Sequence, residues 1–329
     1  MRRRDFIKMI GGAATTWPAI AWGQQGERIR RIGFITPLAA DDPGAQRRKE
    51  AFLQRLHELG WTDGQNIQVI YQWGATDADR IRQSAAELIA LAPDVILAQG
   101  SSTVGWLQQA THTLPIVFVA VIDAVGAGFV DSLARPGGNI TGLTNFEYGF
   151  SGKWLELLKE IAPDIRRAVV LRDTSIASGS GQLGALQGIA SSLGVELRPI
   201  SVRDATELKK AVVEFARSAN GAMIVTGSPL AIVQRKLIVT LAATNKLPAI
   251  YWDRAPVNDG GLISYGADLI AQYQQAASYV DRILKGEKPA DMPVQAPTKY
   301  ELAINIKTAK ALDMKVPPSL LGRADEVIE

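Results

Sequence analysis

No cysteine occurs anywhere in the 329 residues. That absence excludes disulfides, thiolate metal sites, a cysteine nucleophile and a lipid-anchored cysteine at a processing point. Histidine is nearly as scarce, with His57 and His112 alone. Neither stands in a serine–aspartate or metal-ligand context, so no catalytic residue and no metal site is assigned. A charge excess is missing too: the formal net charge is +3, and Arg2, Arg3, Arg4 and Lys8 against Asp5 hold all of it. The chain beyond that segment is neutral, so the overall basicity is no evidence for nucleic acid. The apolar stretch from Met9 to Ala21 is interrupted by Gly11, Gly12 and Pro18 and is too short for a good membrane span.

What is present at the N-terminus is a cationic start, a short apolar stretch and Ala21-Trp22-Gly23 before Gln24-Gln25. This pattern predicts a signal peptide over residues 1–23, removed on export. Arg3-Arg4-x-Phe6-x-Lys8 follows the twin-arginine pattern, with ordinary secretion as the alternative route. The expected product is soluble and periplasmic.

The remaining chain repeats one theme. Arg31-Ile32-Gly33-Phe34-Ile35-Thr36 and Arg167-Ala168-Val169-Val170-Leu171-Arg172 each open a run of apolar stretches separated by helical ones. Asp94 to Ala98 leads to Gly100-Ser101-Ser102, and later Leu114-Pro115-Ile116-Val117-Phe118 begins a strand. In the second run Ala222 to Thr226 leads to Gly227-Ser228, and Leu247-Pro248-Ala249-Ile250-Tyr251 follows. Short β-rich runs alternating with helices predict an α/β chain of two doubly wound parallel-sheet lobes. Ligands of such sheets bind beyond the carboxyl ends of the strands, so two facing lobes make a cleft for a small molecule.

The first lobe is expected to hold strands at 32–36, 67–73, 94–98 and 116–121, with helices at 44–59, 77–91, 101–112 and 126–133. In the second, strands are expected at 168–172, 195–201, 222–226 and 248–252, with helices at 151–161, 181–193, 204–218 and 230–245. A strand at 262–265, a long helix at 268–284 and a last strand at 300–306 complete the reading. Crossings near 144, 258 and 294 predict a three-stranded hinge, giving lobe one as 28–144 plus 259–293 and lobe two as 145–258 plus 294–329.

Several segments carry a specific wording: Leu59-Gly60-Trp61-x-x-Gly64-Gln65-Asn66, Arg135-Pro136-Gly137-Gly138-Asn139-Ile140-Thr141-Gly142 and Gly260-Gly261-Leu262-Ile263-Ser264-Tyr265-Gly266. Ile283-Leu284-Lys285-Gly286-Glu287-Lys288-Pro289 and Ile306-Lys307-Thr308-Ala309-Lys310-Ala311-Leu312 continue it. Over residues 28–329 the chain resembles the substrate-binding components of ABC transporters, in the family that includes the tryptophan/tyrosine-binding proteins. The resemblance implies a type I periplasmic binding fold, no catalysis, no cofactor, and delivery of a ligand to an inner-membrane permease with its cytoplasmic ATPase by a monomeric protein. Asp123-Ala124-Val125 departs from the family's Asp-Pro-Val, which leaves that loop less rigid.

Candidate ligand-binding residues follow from the strand-end loops. Ser101, Ser102 and Thr103 lie where a helix begins, and free amides and hydroxyls there suit a carboxylate; a plain helix cap is the equal alternative. Ser228 is their counterpart in lobe two, with capping the stronger reading. Thr36, Asp123, Asp173 and Asp253 end other strands, where an acid could take a ligand ammonium or simply form a local turn or ion pair. Asn145 and Tyr265 sit beside crossings. Trp73, Trp106, Tyr148 and Trp252 are candidates for an aromatic wall, Trp106 first, against core packing. The expected cargo is an amino acid or another carboxylate, and an aromatic one suits a flat wall.

Gly179-Ser180-Gly181-Gln182-Leu183-Gly184 spells the G-x-G-x-x-G of dinucleotide sites, with Glu196 beyond it. Asp173 to Ser178 intervene after the strand, so the glycines do not open the turn directly, and an exported nicotinamide-dependent oxidoreductase is the weaker alternative. A binding protein that reports ligand to a membrane receptor is another.

Overall fold

The computed structural model describes residues 28–74, 78–174, 176–201 and 204–329, so the expected leader lies outside the described residues. Two sheets organise them. The first has the order β2-β1-β3-β4-β5 and is parallel throughout. Its strands are β1 (Arg30–Ile35), β2 (Ile67–Gln72), β3 (Val95–Gln99), β4 (Ile116–Ile122) and β5 (Ile140–Phe146). Every residue of β3, β4 and β5 is buried. Such continuous apolar strands belong to a sheet covered on both faces.

Period-two alternation decides which helix covers which face. Ile32, Phe34, Leu97 and Val119 pack with Phe52 and Leu56 of α1 (Pro43–Glu58) and with Tyr273, Ala276 and Val280 of α10 (Leu269–Leu284). Ile35, Ile96 and Phe118 face the other way, onto Leu88 of α2 (Ala78–Ala90) and Val104 and Leu107 of α3 (Ser101–Ala110). Asp42 caps α1 by accepting from the Ala45 amide at 2.8 Å, and Pro43 stands at the first helical position.

The second sheet runs β12-β11-β10-β9-β8-β6-β7. Its strands are β6 (Arg167–Arg172), β7 (Glu196–Ser201), β8 (Gly221–Val225), β9 (Ala249–Tyr251), β10 (Ile263–Ala267), β11 (Tyr300–Asn305) and β12 (Glu326–Ile328). Only β10 and β11 pair antiparallel. Helices α4 (Gly152–Ile161) and α5 (Ala177–Ala190) cover one face, and α6 (Ala205–Ala216) and α8 (Arg235–Thr244) cover the other. This is the doubly wound two-lobe architecture that the alternation predicts.

Several expectations need correction. The strand at Ile263–Ala267 belongs to the second sheet, bonded to β9 and β11. The chain therefore returns to lobe one at Asp268 rather than before Asp259; α10 then packs on α1. The first crossing follows Phe146, and the third runs beside β5, where Thr144 donates to Gln295 at 2.9 Å and Gln295 to Gly142 at 3.0 Å. The expected helix at 126–133 is a series of turns, because Gly128 has φ +73° and the Gly126 amide is taken by the Asp123 carboxylate at 2.8 Å. The expected helix at 230–245 is split at Gln234 into α7 (Pro229–Val233) and α8. Short elements α9 (Ala255–Asn258), α11 (Ile306–Ala311), α12 (Pro318–Leu321) and β12 were not expected.

Gly142 shows why one motif has its wording. The pairing of β4 with β5 shifts register between Phe118 and Val121, and Ala120 sits at φ +54° in that bulge. Gly142 lies opposite at φ +152°, and a Cβ there would fall 2.2 Å from the Phe118 carbonyl oxygen. The displaced Ala120 amide finds a partner in Gln272 Oε1 of α10 at 3.1 Å. The strand end, the return helix and the first crossing are thus tied at one point.

Candidate functional site

The two sheets present the carboxyl ends of β3, β4, β8 and β9 toward each other, and a small cavity lies between them. It holds about 390 Å³ of empty space, gaps toward solvent included. Lobe one lines it with Pro37, Gly100, Ser101, Ser102, Ala120 and Ile122; lobe two with Ile176, Ser178, Gly227, Ser228, Ile232 and Trp252. Each contribution traces to a strand end followed by a helix start. β3 ends at Gln99, Gly100 turns with φ +84°, and α3 begins at Ser101. Across the gap, α5 begins at Ala177 after Ile176.

Neither α3 nor α5 has a side-chain cap. The first amides of two helices, ten and fourteen residues long, are thereby left to other acceptors at the cavity rim. Hydroxyls surround them. Ser101 Oγ accepts from the Ile122 amide at 3.3 Å, and Ser228 Oγ accepts from the Ala231 amide at 3.1 Å, so both retain a hydrogen to donate. Ser178 is 2 % exposed, and its Oγ has no hydrogen-bond partner. A buried hydroxyl without a partner costs stability unless something else satisfies it.

Of the residues singled out in sequence, Ser101, Ser102 and Ser228 come together on this wall, and Trp252 supplies its aromatic surface. The others do not line it. Thr36 is buried and donates to Gln99 Oε1 at 2.7 Å, which also accepts from Tyr273 at 2.6 Å. Thr103 is fully buried on the inner side of α3. Trp106 packs under the Arg82 guanidinium, 5.7 Å from the ring, toward α2 and away from the cleft. Asp123 stands at φ +46° and closes its own turn onto Gly126. Asn145 is buried beside the hinge and accepts from Gln272 at 3.3 Å. Asp173 is half-buried in the loop after β6. Tyr265 stacks on Phe150 at 5.1 Å, Trp73 on Tyr71, and Tyr148 lies against α5 at Gly181.

Asp253 lies just outside the cavity and does something unforeseen. Its carboxylate reaches across to Arg48 of α1 at 3.1 Å, with both side chains 11 % exposed. Arg235 of the second lobe matches it, bonding Asp42 of the first at 3.1 Å and Asp259 of its own at 2.5 Å. Burial alone would raise the Asp42 carboxyl, but the Ala45 amide and the Arg235 charge outweigh it and hold the pKa below the ordinary value. At Gly227 a Cβ would come within 2.8 Å of Ile122 across the gap. The lobes are closed on each other. A wider groove of about 840 Å³ runs along the flank past Arg47, Arg48, Asp253, Asp268 and Glu301. Its acids are spent on Arg48, on Lys299 and on the cap of α10, so the cavity at the strand ends is the better site.

The glycines of G-x-G-x-x-G have another purpose here. Gly179 and Gly181 are inside α5, where a Cβ would fall 1.8 Å from the Asp173 carbonyl oxygen or 2.4 Å from the Tyr148 ring. They let a helix press against loop and ring, and they form no phosphate turn.

Comparison with known proteins settles the family. The model of the ABC transporter substrate-binding protein family matches residues 35–328. The chain belongs to that family. Its solved relatives share the type I periplasmic binding fold. A tyrosine-binding protein of Clostridioides difficile R20291 is 28% identical over 275 residues, 84% of this chain and 79% of that protein. A conserved domain protein of Vibrio cholerae superposes with a TM-score of 0.84 at 26% identity, over 91% of this chain and 100% of the other. An ABC domain from Streptococcus pneumoniae in complex with L-Trp gives 0.83 at 24% identity, over 91% and 100%. The ligand-free, open structure of a substrate-binding protein from Clostridium difficile gives 0.67 at 26% identity, over 91% and 99%. The lower score at equal coverage fits lobes that are closed here and open there. No helix among the described residues is long and apolar enough to cross a membrane.

Proposed function

We propose that this substrate-binding protein serves an ABC importer, capturing a small carboxylate between its lobes and presenting the closed form to the permease. The observation that carries the reading is the cavity wall itself: two uncapped helix N-termini, the hydroxyls of Ser101, Ser102 and Ser228, and the unsatisfied Ser178 Oγ all converge on one small space. Backbone amides and hydroxyls are the donor set that a carboxylate needs. Trp252, Ile122, Ile176 and Ile232 provide an apolar side for the rest of the molecule.

The names of the relatives, one binding tyrosine and one solved with L-Trp, support an aromatic cargo of similar size. Export through a leader at residues 1–23, a periplasmic location and a monomeric state complete the proposal. Ligand favours closure because half of its wall comes from each lobe, so full contact exists in one state alone.

The test is a panel of metabolites screened for thermal stabilisation of the mature chain, followed by small-angle scattering. A binder raises the apparent melting temperature by mass action and reduces the radius of gyration of the free protein. A strong hit without a carboxylate, or a hit that leaves the scattering profile unchanged, overturns the proposal. Import is tested by whether a deletion strain loses uptake of the same compound; intact uptake with loss of a ligand response favours sensing.

A further inference from the structure

The chemistry of the cleft says more about its guest than that it carries a carboxylate. Among the described residues lining the cavity there is no aspartate and no glutamate. The acids nearby are already committed. Asp253 holds Arg48 and the Ala255 amide, at 3.1 and 2.8 Å, and Asp42 holds Arg235 and caps α1. Asp123 is folded back on the Gly126 amide, and Asp173 is not part of the wall. At one flank the guanidinium groups of Arg48 and Arg235 are balanced by Asp253 and Asp42, which leaves the positive ends of α3 and α5 as the uncompensated charge beside the cavity.

An ammonium group brought into this space loses its hydration and meets no carboxylate. Trp252 and the serine hydroxyl oxygens can compensate it in part, but these are neutral partners, weaker than a buried charge pair. The same four serine hydroxyls each offer a hydrogen to an anion, and for an anion the positive helix ends add to them rather than oppose them.

We infer that the cleft is built for a carboxylate without an ammonium group, an apolar and flat monocarboxylic acid rather than an α-amino acid. This rests on the reading that the inter-lobe cavity is the ligand site, and it departs from what the names of two relatives suggest. The carboxylate lies between the N-termini of α3 and α5 against Ser178, and the apolar body lies against Trp252.

Matched pairs test it. Calorimetric titration of the mature chain with 3-phenylpropionate against phenylalanine, 3-(4-hydroxyphenyl)propionate against tyrosine, and indole-3-propionate against tryptophan isolates the ammonium group. We expect the acid lacking it to bind at least ten-fold more tightly in at least one pair, and its amide to bind at least ten-fold more weakly than the acid. An amino acid that binds as well as its partner overturns the inference, as does an amide that matches the acid, or a panel in which no acid binds. Ser178→Ala and Gly227→Val separate this from the cleft reading. If an amino acid binds and both variants weaken it, the site stands and the ammonium exclusion falls. If a deaminated acid binds with the variants unaffected, the cleft reading itself falls.

Discussion

At the residue scale, Ser178 is the most exposed to test because two opposing effects meet on one oxygen. In the free protein its Oγ is buried without a partner, so Ser178→Ala removes an unsatisfied group and should leave the melting temperature unchanged or raise it. With ligand present the same hydroxyl donates to a charged acceptor, a bond worth about 1.5–3 kcal/mol, and its loss should weaken binding by about ten- to a hundred-fold. Calorimetry and thermal unfolding on one variant read both effects. A variant that loses stability and keeps its affinity makes Ser178 a packing residue. Sequence could not single it out, since Ser178 stands in a run of glycines and serines from 178 to 181 with no cue to which hydroxyl turns inward. Ser101, Ser102 and Ser228 were legible because each lies within three residues of the end of a strand, where a helix begins. Trp106, the first choice for the aromatic wall, faces α2, since helical periodicity fixes which residues share a face and not which neighbour that face meets. Trp252 takes that place.

At the scale of elements, the position of α5 matters more than the identity of any side chain on its outer surface. Its N-terminus reaches the cavity because Gly179 permits contact with the Asp173 carbonyl and Gly181 permits contact with the Tyr148 ring. Gly179→Ala should push the helix away from the loop, costing at least about 1 kcal/mol of stability by urea unfolding. Ligand affinity should fall as well, because the amides and Ser178 move together with the helix. Stability lost with affinity retained separates α5 from the site. The core elements were legible from the run of apolar strands and intervening helices, and the long α10 from its caps and period. The exceptions share a cause. Strand Ile263–Ala267 reads the same in either sheet, and its membership in the second depends on hydrogen bonds to β9 and β11 across long stretches of sequence. Residues 126–133 have helical spacing but are held in turns by Asp123 and Gly128.

For the molecule as a whole, the closed state is held by charge as well as by contact. Arg48 to Asp253 and Arg235 to Asp42 each join opposite lobes, and opening returns all four groups to water. Isolated surface pairs contribute about 0–1 kcal/mol, but these side chains are between 11 and 17 % exposed, so losing Asp253 strands Arg48 in a drier setting, while Arg235 without Asp42 keeps Asp259. Asp42 gives the pH dependence its sign. Its pKa is lowered in the closed, folded protein, so its stabilising effect is complete above the ordinary aspartate value of about 3.9 and is lost as pH falls through the lowered value. The part owed to Arg235 belongs to closure, because that guanidinium comes from the other lobe, whereas the Ala45 amide stays with Asp42 in either state. Lowering the pH from neutrality should therefore leave the radius of gyration of the free protein constant until the acidic range below about 4 and then increase it, before global unfolding appears in circular dichroism. Asp42→Asn should shift the open–closed mixture of the free protein further toward the open form at neutral pH and reduce this acid-dependent step, and added salt should act in the same direction by screening. If Asp42→Asn leaves both the scattering profile and its pH dependence unchanged, the cross-lobe pairs are incidental and closure rests on the cavity contacts alone.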